Sequence, residues 1–239
     1  MTQPSKGNSK EMLAWMESCR NEANLEGMAR YGIRTERSFG IGMEPLKAKA
    51  KEMGKDHESA LQLWNSGFRE ARLLAVLIDE KKKVTSEQME SWVKDFDSWD
   101  ICDGTCLHLF SMTPFAIDKA KEWVHRPEEF QRRAGFVLMA TIPVKNKKTS
   151  DVELEEFFPL IEQYATDDRN FVRKAVNWAL RQIGKRNQHL NREAIACAQR
   201  IAIIDSKAAR WIAKDALQEL QGEAVQSRLK EKMEKGLKS

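Results

Sequence analysis

Apolar residues recur at three- and four-residue intervals along almost the whole chain, the period of a helix with one face turned inward. The pattern predicts helices over 12–22, 46–53, 58–64, 68–79 and 87–96, then over 115–124, 130–140, 153–164, 171–183, 192–203 and 207–220. Start signals accompany several of them. Thr85 with Gln88 and Ser150 with Glu153 have capping-box spacing, Thr113–Pro114 puts proline at a first turn, and Asp168 is placed to cap the helix that carries Phe171. Alternating strand patterns and Asn-Gly hairpin turns are missing, so the fold class is all-α. Residues 1–10 and 224–239 are expected to be loosely attached ends.

A repeat runs through these helices. Phe opens FREARLLAVLI at 68, FDSWDICDGTC at 96, FQRRAGFVLMA at 130 and FVRKAVNWALR at 171, and a related helix without the Phe, SKAARWIAKDAL, follows at 206. Spacings of 28, 34 and 41 residues suit a solenoid of helix pairs of HEAT type. Each Phe-led helix is the second of its pair, with 87–93 and 115–124 supplying first helices. One pair cannot bury its own apolar face, so the pairs are expected to stack as one curved array spanning 1–239.

Counting from each Phe, positions +3 and +7 share a helical face. They hold Ala71/Ala75, Trp99/Asp103, Arg133/Val137 and Lys174/Trp178, whereas +5 and +9 hold Leu73/Leu77 and Val176/Leu180 and are assigned to the core. Equivalent positions in stacked repeats point the same way. Trp99, Asp103, Arg133, Lys174 and Trp178 are therefore expected on one exposed surface, a combination suited to binding. The other tryptophans Trp15, Trp64, Trp92 and Trp211 are assigned to the core, and Trp123 is left open.

Composition narrows the partner class. The 41% hydrophobic share and seven Trp in 239 residues argue against a disordered chain. No apolar run approaches the ~20 residues of a membrane span. MTQPSKGNSK has no apolar signal core, so a cytosolic location is expected, with the nucleoid if the chain is bacterial. Four scattered Cys make no disulfide scaffold. The formal charge of +4 hides an asymmetry. Residues 169–239 carry 16 Lys+Arg against 7 Asp+Glu, a net of +9, while residues 1–168 carry 24 against 29, a net of −5. A basic end of this kind suits a polyanion. The lysine-rich stretches at 81–83 and 145–148 are read as solvated connections.

The ordered set FDSWDICDG (96–104), FQRRAGF (130–136) and FVRKAVNWALRQIGKRN (171–187) resembles the AlkD-like DNA alkylation repair family, the HEAT-like-repeat DNA glycosylases. The resemblance runs from about residue 28 to about residue 220. It implies a concave basic surface for duplex DNA and removal of cationic purines alkylated at N3 or N7. It also implies an Asp beside two Trp with an Arg close by, which fall on Asp103, Trp99, Trp178 and Arg133. Ser98 stands where family members can carry a further Trp, and the wider family includes relatives without detectable glycosylase activity.

The residues suit that chemistry. Hydrolysis of an N-glycosidic bond passes through an oxocarbenium-like sugar, which a carboxylate such as Asp103 stabilises while orienting water. An alkylated purine is already cationic and leaves without being protonated, so no Lys nucleophile is required and the enzyme is monofunctional. Trp99 and Trp178 can hold the lesion nucleotide through their indole faces. The lesion base is either extruded into a pocket or left stacked while its sugar is contacted. Arg133, Lys174, Arg173, Lys185 and Arg186 are the candidate phosphate contacts. Cys102, Cys106 and the four His lack metal-site spacing or a nucleophile partner, and GIGMEP (40–45) lacks a dinucleotide-binding pattern, so no metal or cofactor is expected. The expected protein is a monomeric alkylpurine glycosylase acting on duplex DNA, away from membranes. The alternatives are a non-catalytic binder of distorted or branched DNA and a helical-repeat scaffold for protein partners.

Overall fold

The computed structural model describes residues 9–236, and the expectation of loose ends at 1–8 and 237–239 lies outside them. Among the described residues there are fifteen α-helices, one short 3₁₀ turn and no strand. None of these helices is long and apolar enough to cross a membrane. The chain divides into two compact units, Met1–Thr113 and Pro114–Ser239.

The first unit contains α1 (Ser9–Ser18), α2 (Glu22–Arg30), α3 (Met43–Met53), α4 (His57–Asn65), α5 (Arg69–Ile78), α6 (Ser86–Val93), α7 (Trp99–His108) and the 3₁₀ turn Phe110–Met112. Helix α5 is its centre, packed against α3, α4 and α7, with Ala71, Leu73, Leu74, Ala75, Val76 and Ile78 all buried. Trp64 and Trp92 stack with ring centroids 3.9 Å apart and planes 3° from parallel, and Phe96 meets Trp64 edge-on. Such a pair adds about 1 kcal/mol to the burial of its area. The Trp64 indole N–H keeps a partner by donating to Asp95 at 2.8 Å. Glu70 is also buried, and its carboxylate accepts from Ser38 Oγ and from the backbone N–H groups of Phe39 and Ile41, folding the loop before α3 onto α5. Gly40 lies in that loop at φ +74°, where a Cβ would lie 2.2 Å from the Asn21 carbonyl oxygen.

The second unit contains α8 (Ala116–Trp123), α9 (Glu129–Lys145), α10 (Asp151–Glu155), α11 (Phe158–Gln163), α12 (Asn170–Gly184), α13 (Gln188–Ala202), α14 (Lys207–Leu220) and α15 (Glu223–Gly236). Helices α9 and α12 pack most extensively, with α8 against α9, and α13 and α14 against each other and α12. Where a loose tail was expected after Glu223, the chain continues as α15 to Gly236, with Val225 and Leu229 buried.

The differences from the sequence pattern have local causes. Helix α2 has no buried residue and so leaves no apolar stripe to read; the chain breaks before it at Asn21, whose side chain caps it by accepting from Asn24 N–H. Helix α6 stops at Val93, and Phe96 packs in the connection, so α7 starts at Trp99 and not at the Phe. The helix read over 153–164 is two short ones, with Pro159 in the first turn of the second. Ser150 and Glu153 form a full capping box, but Gln88 sends its amide to Asp79 and leaves Thr85 with only its half. Pro114 precedes α8 by two residues, and the Thr113 hydroxyl donates to the Phe110 carbonyl. The residue at the cap position of α12 is Arg169, not Asp168, and no side chain caps it. Trp64, Trp92 and Trp123 are buried, Trp15 is half-buried beneath Lys49, and Trp211 is 38% exposed, with Arg173 stacked over its ring.

Gly135, within the FQRRAGF segment, is where α9 comes close to α8. A Cβ there would stand 2.7 Å from Val124 Cγ1 and 2.9 Å from the Ala120 carbonyl oxygen. Gly135→Ala is expected to destabilise the protein by about 1–3 kcal/mol, the usual cost of overpacking. The check is a lowered midpoint in urea unfolding with unchanged helix content by circular dichroism.

Candidate nucleic-acid interface

Trp99 and Asp103 stand one turn apart on α7, and both are half-buried. The first turn of α7 is held from several sides. Ser98, buried just before it, donates to Asp100 Oδ1 at 2.7 Å, and Arg69 Nε of α5 donates to Asp100 Oδ2 at 2.5 Å. Arg69 also reaches Glu70 Oε1 at 2.9 Å, so the helix carrying the candidate carboxylate is tied to the buried anchor of the unit. The Trp99 indole N–H donates to the Tyr31 carbonyl at 2.9 Å, which fixes the plane of the ring. The ring borders a largely apolar recess of about 580 Å³ together with Met28, Tyr31 and Ile33.

In the second unit, Lys174 is exposed and Trp178 half-buried one turn further along α12. Arg133 differs from expectation: it is 6% exposed, because α9 packs directly against α12. Its guanidinium donates to the Phe171 carbonyl and lies 6.0 Å from the Phe171 ring centroid. Arg133 is thereby joined to the end of α12 that carries Lys174. Arg173 stacks 4.8 Å above Trp211. Lys185 and Arg186 lie at the other end of α12. Lys185 Nζ donates to Glu219 at 2.6 Å, and Glu219 also accepts from Arg181. Arg186 donates to the carbonyls of Pro143 (2.9 Å), Thr149 (2.6 Å) and Lys147 (3.2 Å), which makes it the clamp of the loop between α9 and α10.

Asp167 sets the start of α12. It accepts from Arg132 at 2.8 Å and from the Arg169 side chain at 2.9 and 2.5 Å, while also taking the Arg169 backbone N–H. Burial pushes its carboxyl upward, but the hydrogen bonds and charges of Arg169 and Arg132 outweigh that and hold it below the usual aspartate range. Among the described residues no three His, Cys, Asp or Glu gather as a metal site would require.

Several residues that shape these surfaces left no mark in the sequence pattern. The Arg69–Asp100–Ser98 connection joins side chains from different helices, and Tyr31 follows a helix without an apolar stripe. Lys147, read as part of a solvated connection, lines a recess with Lys185, Arg186, Arg228 and Lys232. A signal was available for these, since all five fall in the lysine-rich 145–148 stretch or the basic 169–239 segment.

The family model described as DNA alkylation repair enzyme matches residues 12–220. No curated protein matches the chain. Among solved structures, the chain is similar to one described as belonging to "a new family of proteins related to the HEAT-like repeat DNA glycosylases with affinity for branched DNA structures". The two share 19% identity and superpose with a TM-score of 0.77 over 93% of this chain and 96% of the other. The all-α fold is thus of the HEAT-like repeat type.

Removing the Asp167 charge is expected to loosen the start of α12. Asp167→Asn should cost about 2 kcal/mol at neutral pH, the scale of hydrogen bonds to a charged group. Because the folded carboxyl lies below its unfolded value of about 3.9, this contribution is complete above that value. It is lost as pH falls through the folded value. Urea midpoints of the two proteins should differ at pH 7 and converge as the pH falls through the folded value.

Proposed function

This chain belongs to the DNA alkylation repair enzyme family, and on that footing we propose that it binds duplex DNA and hydrolyses the N-glycosidic bond of cationic alkylated purines such as 3-methyladenine or 7-methylguanine. The observation that carries this reading is Asp103, one turn from Trp99 on a helix whose first turn is locked through Asp100, Arg69 and Glu70. A carboxylate held in place before reaction stabilises developing positive charge without first having to reorganise.

In the proposed reaction the bond between C1′ and the purine nitrogen breaks, and its electron pair leaves with the base. The base, cationic while attached, departs neutral and needs no proton. Asp103 faces the oxocarbenium, orients water toward C1′ and takes the proton released on attack. No enzyme-bound intermediate forms. Trp99 presents an indole face to the lesion nucleotide, a role its fixed ring plane supports. Trp178, on α12, presents an indole face to bound DNA. Lys174 and Arg173 contact backbone phosphates, and the buried Arg133 adds a fixed positive charge beside Phe171. The protein acts as a monomer and uses no cofactor.

A second reading is DNA binding without base release. It is favoured by the similar solved structure, whose description gives affinity for branched DNA, and by Ser98 in place of a further Trp. The first reading predicts that Asp103→Asn lowers release of 7-methylguanine from methylated duplex DNA by about 10²–10³-fold, with affinity for the same duplex nearly unchanged. Base-release and binding measurements on wild type and variant separate the readings: release by neither protein, with binding intact, supports the second. A protein scaffold would show no salt-dependent DNA binding at all.

A further inference from the structure

Lys147, Lys185, Arg186, Arg228 and Lys232 face one recess of about 320 Å³ within the second unit, bounded by the C-terminal ends of α9 and α12 and by α15. Among the described residues no carboxylate lines it. Five like charges around one cavity repel each other, and the fold holds three of them there by specific bonds. Arg186 is fixed by the loop carbonyls it clamps, including that of Lys147, so it acts as a set charge and positions its neighbour. Lys232 donates to the Lys185 and Arg186 carbonyls at 3.2 and 3.3 Å, pinning α15 across the end of α12. Lys185 shares Glu219 with Arg181. The Lys147 ammonium and Arg228 guanidinium, both exposed, have no hydrogen-bond or ion-pair partner among the described residues. Burial, together with the charges of Lys147, Arg228 and Arg186, holds the Lys232 ammonium below the usual lysine range. An anion in the recess would relieve that repulsion.

We propose that this recess is a phosphate-binding site for a nucleic-acid backbone, with Lys147 and Arg228 making the direct contacts and Arg186 and Lys232 supplying the fixed positive field. Guanidinium and ammonium donors around an open recess match the tetrahedral oxygens of a phosphodiester. The recess is distinct from the surface around Lys174. Lys174 lies eleven residues before Lys185, about 16 Å along α12 at 1.5 Å per residue, too far for one phosphate to satisfy both. The recess therefore adds a second backbone contact, and as a site for DNA it rests on the DNA-binding reading above.

The test is DNA affinity by fluorescence anisotropy over a range of salt concentrations, for wild type, Lys147→Ala/Arg228→Ala, Arg228→Lys and Lys174→Ala. The double variant changes only exposed, unpartnered groups, and circular dichroism checks that it is folded. Its slope of log affinity against log salt should become shallower by about 0.9 for each phosphate that is no longer neutralised, with Arg228→Lys close to wild type. An unchanged slope in the double variant, with Lys174→Ala weakened, overturns the recess and leaves the DNA-binding function standing. A shallower slope in the double variant, with Lys174→Ala unaffected, supports the recess and removes Lys174 from the interface. Wild type without salt-dependent binding overturns both. Pyrophosphate titrated into wild type and double variant separates the sources of phosphate. Thermal stabilisation of wild type alone, with the DNA slope unchanged between them, would assign the recess to a free phosphate ligand and overturn the nucleic-acid assignment.

Discussion

A short amphipathic helix has an apolar face that it cannot hide alone, and a pair of such helices still leaves one face open. Each unit of this protein follows from that constraint. In the first, α5 is surrounded by α3, α4 and α7 and exposes almost none of its apolar surface. In the second, α9 and α12 take the same role, flanked by α8 on one side and by α13 and α14 on the other. Close stacking also explains individual residue types. Gly135 leaves room for α8, and the flat indoles of Trp64 and Trp92 fill the layer between α4 and α6.

Stacking fixes helix axes, and polar side chains fix helix ends. Glu70 and Asp167 do comparable work in the two units, each a carboxylate withdrawn from solvent and held by several donors. A buried carboxylate is tolerated only with such partners. Through Arg69 and Asp100, Glu70 reaches the first turn of α7 and so the placement of Trp99 and Asp103. Asp167 sets the approach to α12, the helix that carries Lys174 and Trp178. The groups proposed for chemistry therefore sit on helices whose starting points are determined by electrostatics as well as by packing.

The basic segment looks different once its charges are assigned. Arg181 and Lys185 share Glu219, and Arg186 holds a loop. Much of the net +9 is committed to holding helices together. Lys174 remains exposed on the face of α12, and Lys147 and Arg228 remain at the recess. A net charge indicates a polyanion partner, but the particular cations offered to it are those left over from structural work.

The period of the apolar residues determined the all-α class and most of the helix positions, because burial on one face requires that spacing wherever a helix packs. It also put Trp99 with Asp103, and Lys174 with Trp178, on shared faces, since a four-residue separation is a property of the helix itself. The ordered combination of FDSWDICDG, FQRRAGF and FVRKAVNWALRQIGKRN indicated the family. The period was silent on α2, which packs no apolar stripe, and it misplaced the start of α7, because Phe96 is buried as firmly in a connection as it would be in a helix. Burial of Arg133, exposure of Trp211, and the gathering of Lys147 with Arg228 and Lys232 were decided by the tertiary structure alone. Sequence spacing records which side of a helix a residue occupies; which neighbour covers that side depends on contacts between residues tens of positions apart.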